Sequence, residues 1–514
     1  MYRHLVLEIS GRALSLDDVV RVARKREPVA LTDDAQARVA RARAVVEAKS
    51  QQDAAIYGIN TGFGALKSVR IPAADLAQLQ VNLVRSHAAG VGEPLAIDAT
   101  RALMLLRANV MATGRSGVSS RVLELLIAML NRGVHPVIPS QGSVGASGDL
   151  APLAHLALVM IGEGWVHAPG GPIAGELALL RAGLTPARLG AKEGLCLVNG
   201  TQAMGALGAL ALFDAFALAK LADIAGAASL EGYRGSATAF DERIHASRPH
   251  PGQLASASNL RRLTQDSEIA LSHADCDRVQ DAYSFRCMPQ VHGATRDGLR
   301  FVAATLGVEL GSATDNPLVF AEEGEGDLLL SGGNFHGQPL ALSLDLLGIA
   351  VAQLASISER RIAQLVDPAT SRLPAFLVRD PGLSSGFMIA QVTAAALVNE
   401  SRVLATPSCL GTISTSANQE DHVSMGMTSA IKAARIVANT RHVLAIELLA
   451  ACQAIDLVGL RPATGVKAAY DVVRSRVSRL DADRVLAPDL AAAADLIASG
   501  EIADRVQLVL GALV

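Results

Sequence analysis

The sequence predicts a mainly α fold, and three features of the chain support this prediction. Near the C-terminus, apolar residues recur at the spacing of one helix face, and they are Val466, Ala469, Tyr470, Val473, Val477 and Leu480. Long stretches rich in alanine and leucine predict further helices over 201–225, 342–365, 391–404 and 425–451. Glycine-rich loops at 58–64, 142–148, 331–337 and 382–386 separate the helical segments.

The long predicted helices indicate a central bundle. Their apolar surface extends more than halfway round, so each must be buried on several sides, within a bundle or between subunits. We therefore predict a glycine-loop-rich N-terminal region at 1–200, a long central helical bundle at 201–451 and a C-terminal helical region at 452–514. In the last region, a helix that begins near Asp489 should end at Ser499, with Gly500 as its C-cap. The acidic segment 322–327, between apolar runs at 318–320 and 328–330, predicts a small hairpin.

Composition argues against several classes of partner. The 514 residues are 50% hydrophobic and 18% charged, with 46 Lys plus Arg against 49 Asp plus Glu and a net charge of −3. No basic excess points to nucleic acid, and aromatic residues, at 3%, are too few for base stacking. The N-terminus has no apolar leader segment, and the longest apolar run, 203–213, is too short to span a bilayer. We therefore expect a cytoplasmic protein with neither a membrane nor a nucleic acid as partner.

Cysteine and histidine patterns favour neither disulfides nor a metal site. The five cysteines are odd in number and form no CxxC pair, which is typical of reduced thiols in the cytosol. The twelve histidines form no HExxH motif and no close Cys/His cluster. We therefore expect no metal.

The most informative segment is 142–155, which has Ala146-Ser147-Gly148 at its centre. If the backbone is pinched there, the Gly148 nitrogen can attack the Ala146 carbonyl carbon, because glycine has no Cβ to block the approach. Loss of one water closes a five-membered ring, and loss of the Ser147 hydroxyl as a second water leaves an exocyclic methylene. Such a tripeptide alone is more often a plain turn. A phosphate-binding loop does not fit, because the glycine spacing differs and no Lys-Ser/Thr follows.

The extended segment, with Asp149-Leu-Ala-Pro-Leu-Ala154 directly after the tripeptide, resembles the aromatic amino acid ammonia-lyases. These enzymes build an electrophile, 4-methylidene-imidazol-5-one (MIO), from Ala-Ser-Gly. The resemblance implies that Ala146, Ser147 and Gly148 form MIO without an external cofactor. It also implies a fumarase/aspartase-like helical lyase architecture and a homotetramer whose sites are shared between subunits. The matching motifs run from about Tyr57 to Met425, and so cover most of the chain.

Tyr57 heads a loop with three glycines in eight residues, Tyr57-Gly-Ile-Asn-Thr-Gly-Phe-Gly64. A tyrosine is usually a core residue, but functional groups concentrate on exposed loops of this kind. The segment resembles the catalytic tyrosine loop of the family, which implies that Tyr57 is the general base for a substrate β-hydrogen. Because tyrosine titrates near ~10, this role needs surroundings that favour tyrosinate.

Gln280, Tyr283 and Arg286 share i, i+3, i+6 spacing, so a helical turn would point all three roughly one way. A solvated polar helix face is the simpler interpretation, although the flanking residues are apolar. An arginine can hold a carboxylate in a bidentate fork. The resemblance implies that Arg286 binds the carboxylate of an amino acid, and that Gln280 and a catalytic Tyr283 line the MIO site.

Asn199 and Phe335 lie in two further matching segments. Asn199 precedes an apolar helix and is equally well explained as its N-cap. The resemblance places Asn199 beside the MIO oxygen, where an amide donor stabilises negative charge. Phe335, within Gly332-Gly-Asn-Phe-His336, resembles a site residue that packs near the electrophile.

Glu420 and His87 bear on the choice of substrate. Glu420, with Asp421 and His422, interrupts a small and apolar region, and a solvated helix start is the simpler interpretation. The resemblance makes Glu420 a catalytic carboxylate that faces the substrate. The segment Ser86-His87-Ala-Ala-Gly-Val-Gly resembles the selectivity segment of the histidine branch, in which His87 would contact an imidazole ring. A carboxylate can hydrogen-bond an imidazole or ammonium group, so we expect deamination of L-histidine to trans-urocanate and ammonia.

Three alternatives stay open. The stretch Arg248-Pro-His-Pro-Gly-Gln253 looks more like the phenylalanine and tyrosine branches, so a phenylalanine or tyrosine ammonia-lyase is one alternative. An aromatic 2,3-aminomutase, which shares MIO but re-adds the amine, is the second. A non-catalytic helical assembly protein is the third, and the absence of MIO would favour it.

Overall fold

The computed structural model describes residues 6–52, 54–62, 64–321 and 328–514, and the fold is mainly α, as predicted. In the first part of the chain the α-helices are α1 Leu16–Ala23, α2 Asp33–Ser50, α3 Leu76–His87, α4 Ile97–Ala112, α5 Ser120–Asn131, α6 Leu150–Met160, α7 Gly175–Arg181 and α8 Glu193–Val198. They are followed by α9 Gln202–Tyr233, α10 Glu242–Ala246, α11 Pro251–Leu263, α12 Glu268–Ser272, α13 Tyr283–Arg286, α14 Met288–Glu309 and α15 Gln338–Val366. The last are α16 Pro368–Ser371, α17 Met388–Leu404, α18 Gly426–Val458, α19 Thr464–Arg476, α20 Ala487–Ser499 and α21 Glu501–Leu510.

The strands of the described chain are short and pair two by two. A parallel pair joins β1 Leu7–Ile9 to β2 Val29–Leu31, and an antiparallel pair joins β3 Val91–Pro94 to β4 Pro139–Gln141. Two more antiparallel pairs are β5 Trp165–Val166 with β6 Ile173–Ala174, and β7 Leu318–Phe320 with β8 Leu328–Leu330. The last pair confirms the predicted pairing of the two apolar runs, while the acidic turn 322–327 lies outside the described residues.

The helix boundaries differ from the predicted ones where local signals are weak. The predicted helix near the C-terminus stops at Arg476, so Val477 and Leu480 lie beyond it although both are buried. By contrast, α20 ends where the sequence indicates, with Gly500 in the left-handed region at φ 81°. Glycine adopts this conformation without the steric cost that a Cβ brings, which is why it ends helices well.

The chain forms two compact units, each assembled from separate stretches of sequence. The first unit contains Met1–Phe213, Ala303–Asp345 and Pro407–Ile431. The second contains Asp214–Val302, Leu346–Thr406 and Lys432–Val514. The predicted division at 200 and 451 stays a prediction, and the long helices α9, α14, α15 and α18 each contribute residues to both units.

Three helices of the first unit position the segments singled out by sequence. Helices α3, α6 and α8 pack against one another. His87 is the last residue of α3, Asp149 precedes the first residue of α6, and Asn199 follows the last residue of α8. This packing brings the ends of the three helices, and the groups they carry, into one region.

The second unit is built on long helices with paired charges in their core. Arg361 on α15 donates to Glu447 on α18 at 2.5 and 2.9 Å, and both side chains are fully buried. Asp223 on α9 accepts hydrogen bonds from Arg296 at 2.7 Å and from His292 at 2.8 Å. Such pairs satisfy the charges that close helix packing would otherwise leave without partners.

Two helices of the described chain, α9 and α15, are long and apolar enough to cross a membrane by length and composition. The apolar run 203–213, which is too short by itself to span a bilayer, is part of the 32-residue helix α9. In the most apolar windows of α9 and α15, 67% and 72% of the residues are buried inside the protein. Buried core helices can be as long and as apolar as helices that span a membrane.

Candidate active site

The backbone around the 146–148 tripeptide is confined by its neighbours. Gly148 has φ 73°, and a Cβ built on it would lie 2.0 Å from the carbonyl oxygen of Gly200. The N–H of Asp149 donates to the same carbonyl at 2.7 Å. Glycine is therefore required at position 148, since a side chain there would push the two chain segments apart. This close approach holds the tripeptide in place, as the predicted cyclisation needs.

The carbonyl oxygen and the hydroxyl of Ser147 form hydrogen bonds with different partners. The backbone N–H of Gly200 donates to the Ser147 carbonyl oxygen at 3.3 Å. The Ser147 hydroxyl donates to Oε1 of Glu420 at 3.1 Å. The carbonyl oxygen thus faces hydrogen-bond donors, and the hydroxyl faces a carboxylate.

The Asn199 carboxamide supplies a second donor to the Ser147 carbonyl oxygen. An amide can be placed in two orientations that exchange its oxygen and nitrogen. In the orientation that satisfies both ends, Nδ2 donates to the Ser147 oxygen at 3.0 Å and Oδ1 accepts from the N–H of Asn316 at 2.9 Å. In the other, Nδ2 donates to Oδ1 of Asp315 at 3.3 Å. The first orientation gives Ser147 two donors on one oxygen, the arrangement that stabilises negative charge there.

Asn199 does not cap the helix that follows it. It is the C-cap of α8, in an extended conformation, and α9 begins only at Gln202. The N-cap interpretation is therefore wrong. The buried Arg107 holds the turn by donating to the Asn199 carbonyl oxygen at 2.7 Å and to Gln202 Oε1 at 2.7 Å.

Glu420 lies in a tight turn before α18 and not at a helix start. Its backbone pairs with Thr415, and the Thr415 hydroxyl donates to Oε2 at 2.6 Å. The helix α18 begins only at Gly426. The solvated helix-start interpretation is therefore wrong for Glu420, whose two carboxylate oxygens are held by Ser147 and Thr415. The neighbouring Asp421 and His422 are exposed.

Two adjoining cavities of the first unit, of about 580 and 310 Å³, bring most predicted site residues together. Tyr57, Ser147, Phe335 and Glu420 line both cavities. Ala146 lines the larger cavity, while His87 and Asn199 line the smaller. Sequence reasoning missed several lining residues, and they are Lys67, Asn316, His336 and Gln419. His336 lies within the segment that contains Phe335 and Gln419 directly precedes Glu420, whereas Lys67 and Asn316 carry no local signal.

Burial shifts the titration of two predicted site residues. The pKa of Tyr57 is raised by burial and by Glu420, while a hydrogen bond from the Gly64 backbone and the charge of Lys192 lower it. The pKa of His87 is lowered by burial, against an opposing effect of Glu420. His87 is therefore neutral at neutral pH, and its Nδ1 lies 3.0 Å from the Ser86 hydroxyl. Tyr57 needs additional positive charge nearby to act as a base.

Gln280, Tyr283 and Arg286 belong to the second unit, and none of them lines either cavity. Tyr283 and Arg286 lie on α13, whereas Gln280 lies in the bend before this helix. Arg286 nevertheless donates to the Gln280 side chain and lies 5.5 Å from the centre of the Tyr283 ring. The three side chains form one cluster, in which Gln280 and Tyr283 are exposed and Arg286 is half-buried.

Comparison with known proteins shows that the chain resembles members of one enzyme family over nearly its full length. A family model described as aromatic amino acid lyase matches residues 14–475. A histidine ammonia-lyase of Gloeobacter violaceus is 53% identical over 509 residues, which cover 99% of this chain and 98% of that protein. The crystal structure of a histidine ammonia-lyase from Trypanosoma cruzi superimposes with a TM-score of 0.91 at 43% identity, covering 98% of this chain and 95% of that one. A tyrosine aminomutase from Streptomyces globisporus superimposes with a TM-score of 0.92 at 38% identity, covering 98% and 99%.

Proposed function

Because this chain belongs to the aromatic amino acid lyase family, we propose that it removes ammonia from L-histidine and releases trans-urocanate. It is then a carbon–nitrogen lyase. The observation that supports L-histidine as the substrate is the set of residues that line the smaller cavity. His87 and Glu420 line the cavity that also contains Ser147, so an imidazole ring finds hydrogen-bonding partners there. A phenyl ring can form a hydrogen bond with neither group.

The proposed electrophile is MIO, formed from Ala146, Ser147 and Gly148 without an external cofactor. The surrounding residues fit such a ring, since the Gly148 position admits no Cβ and the Ser147 carbonyl oxygen faces two donors. When formed, MIO supplies an electron-poor alkene that no ordinary side chain provides. Asn199 and the Gly200 N–H would hold its carbonyl oxygen. Phe335 would pack beside it.

The remaining roles follow from the groups that line the cavities. Tyr57 takes the proton from the β-carbon of the substrate, and loss of such a base typically costs ~10²–10⁴-fold in rate. Glu420 accepts hydrogen bonds from the imidazole or ammonium group of the substrate. His87, which is neutral, contacts the ring edge.

A neighbouring subunit completes the site in this proposal. The substrate carboxylate needs a cation that can form a bidentate pair, yet no arginine is among the described residues that line the two cavities. The cluster of Gln280, Tyr283 and Arg286 in the second unit carries such a group. On α17, Ile389 and Val403 are also 63% and 64% exposed, which favours burial against another chain. We therefore infer a homotetramer with D2 symmetry in which Arg286 of one subunit serves the cavity of another.

Substrate kinetics and mass test the proposal together. The kcat/KM of purified protein for L-histidine should exceed that for L-phenylalanine and L-tyrosine on the order of 10⁴-fold, as expected of a site built on hydrogen bonds. Intact mass should fall short of the linear chain by two waters, and Ser147→Ala should abolish this loss and nearly all activity. A preference for phenylalanine or tyrosine would overturn the histidine assignment. Formation of a β-amino acid would favour the aminomutase alternative, which the likeness to the tyrosine aminomutase structure makes the second candidate.

A further inference from the structure

A fully buried ion pair lies beside the side chain of Asn199. Lys192 Nζ is 3.6 Å from Asp315 Oδ2, and neither side chain has any exposed surface. The ammonium group also donates to the Ser116 carbonyl oxygen at 2.7 Å and to Cys196 Sγ at 3.4 Å. Among the described residues, Asp315 Oδ2 accepts no hydrogen bond, so its negative charge is stabilised mainly by the ammonium group of Lys192.

The charges in this cluster can be assigned. Burial alone would lower the pKa of Lys192, but the negative charge of Asp315 raises it above its usual value, so the lysine is cationic. Burial raises the pKa of Cys196 to about 12, so that thiol is neutral. Among the described residues, Arg107 is a further cation near Asp315, and its Nη1 donates to the Asn199 carbonyl oxygen and to Gln202 Oε1. Lys192 and Asp315 are therefore opposite charges that face each other out of contact with water.

Lys192 also occupies a strained backbone position. It precedes α8 in the left-handed region, with φ 69°. A glycine would adopt this conformation freely, whereas other residues occupy it at a cost, and such strain persists where the surroundings impose it. The backbone conformation gives no reason for a lysine at this position, so the reason must lie in the contacts of its side chain.

The carboxylate of Asp315 competes for the amide of Asn199. Its Oδ1 lies within 3.3 Å of that amide, which either donates there or turns to donate to the Ser147 carbonyl oxygen at 3.0 Å. An uncompensated carboxylate attracts an N–H donor more strongly than a neutral carbonyl oxygen does. A cation on the far side of Asp315 weakens this attraction.

We propose that Lys192 is a positioning residue for Asn199: by pairing with Asp315, it leaves the Asn199 amide turned toward the carbonyl oxygen of Ser147. Lys192 acts through Asp315 and Asn199 and does not touch the substrate. The inference rests on the proposed function, because that oxygen matters for catalysis only if the tripeptide cyclises. Arg107 still offsets part of the Asp315 charge without Lys192, so we expect a partial loss.

Two single variants and their combination test the proposal. Lys192→Met and Asp315→Asn each leave one buried charge without its partner, so both should lower the thermal midpoint by similar amounts. Only Lys192→Met leaves a charged carboxylate beside the Asn199 amide. It should therefore have a smaller fraction of chains that lack two waters by intact mass. In the chains that cyclise, kcat should fall ~10²-fold with KM nearly unchanged, as for removal of one oxyanion donor. Asp315→Asn should cyclise nearly as fully as wild type, and Lys192→Met/Asp315→Asn should recover both measurements.

The outcomes separate this inference from the proposed function. A wild-type protein of full linear mass would refute the proposed function. If wild type cyclises, equal losses in Lys192→Met and Asp315→Asn, or no loss in Lys192→Met, would overturn the role of Lys192. Should Lys192→Met not fold, the double variant replaces it. A folded double variant that cyclises less fully than Asp315→Asn would then contradict the inference.

Discussion

The Ser147 hydroxyl lies 3.1 Å from Oε1 of Glu420, although 273 positions separate the two residues in the chain. Ser147 comes from the segment before α6, and Glu420 from the turn before α18. The contact connects the tripeptide that we propose forms the electrophile with Glu420, the carboxylate that we propose determines substrate specificity. It is the central relationship of the site.

Gly148→Ala should prevent ring formation. The added Cβ would meet the Gly200 carbonyl oxygen at 2.0 Å, so the two segments must separate. We expect a protein with the mass of the linear chain and almost no ammonia release. Gly170→Ala is the matched control, because Gly170 has φ 87° but no atom within 4 Å of the position that a Cβ would take. It should lose only ~1 kcal/mol of stability and keep full activity. Normal mass loss in Gly148→Ala would contradict the prediction.

Tyr57→Phe should lower kcat ~10²–10⁴-fold and leave the loss of two waters intact, because the ring is retained and only the titratable oxygen is removed. Tyr470→Phe provides a control for loss of a phenol elsewhere. The Tyr470 hydroxyl donates to Asp456 at 2.5 Å in the second unit, so this variant should affect stability and not turnover. Near-normal turnover in Tyr57→Phe would remove Tyr57 from the mechanism.

Glu420→Gln should reduce histidine turnover sharply without affecting the fold or ring formation. The amide keeps the shape of the side chain but cannot accept from both Ser147 and Thr415 as a carboxylate does. His87→Phe should weaken histidine turnover and relax the discrimination against phenylalanine. Glu93→Gln, on the exposed strand β3, is the control and should behave as wild type. Unchanged kcat/KM for histidine in Glu420→Gln would show that another group selects the substrate.

Mixing two inactive proteins should restore activity if sites are shared. Tyr57→Phe lacks the base and Arg286→Ala lacks the carboxylate-binding group. In mixed tetramers some sites combine an intact Tyr57 from one subunit with an intact Arg286 from another. The measurement is ammonia release after the two proteins are unfolded together and refolded. Mixed tetramers that form and stay inactive would rule out sharing between these residues.

Buried Glu231 should make the second unit less stable as pH rises. Burial raises its pKa to about 7, although Ser267 and the Ala463 N–H lower it. The folded state therefore keeps a proton that the unfolded state releases near pH ~4.3, so stability falls between about pH 4 and 7. Glu231→Gln should remove up to ~3 kcal/mol of this dependence, as judged from denaturant unfolding at pH 5 and pH 8. Parallel pH dependence in variant and wild type would contradict the assignment.

Much of the architecture could be predicted because its signals are local. The helical spacing, the glycine at the end of α20 and the pairing of 318–320 with 328–330 depend on near neighbours in the chain. The tripeptide and its flanking residues were likewise visible as a continuous motif. Tyr57, Ser147, Phe335 and Glu420 were predicted on separate motifs, and all four line the same cavities.

Other features depend on contacts that no local pattern encodes. Val477 and Leu480 keep the helical spacing but lie beyond α19, because burial and not periodicity places them. Asn199 looks like an N-cap, yet a turn held by Arg107 makes it the end of the preceding helix. Lys192 carries no motif at all, and its importance comes from a carboxylate 3.6 Å away and 123 positions further along the chain. Periodicity and turn residues act over a few positions of the chain, whereas the charge and orientation of a buried group are set by whatever the completed fold packs around it.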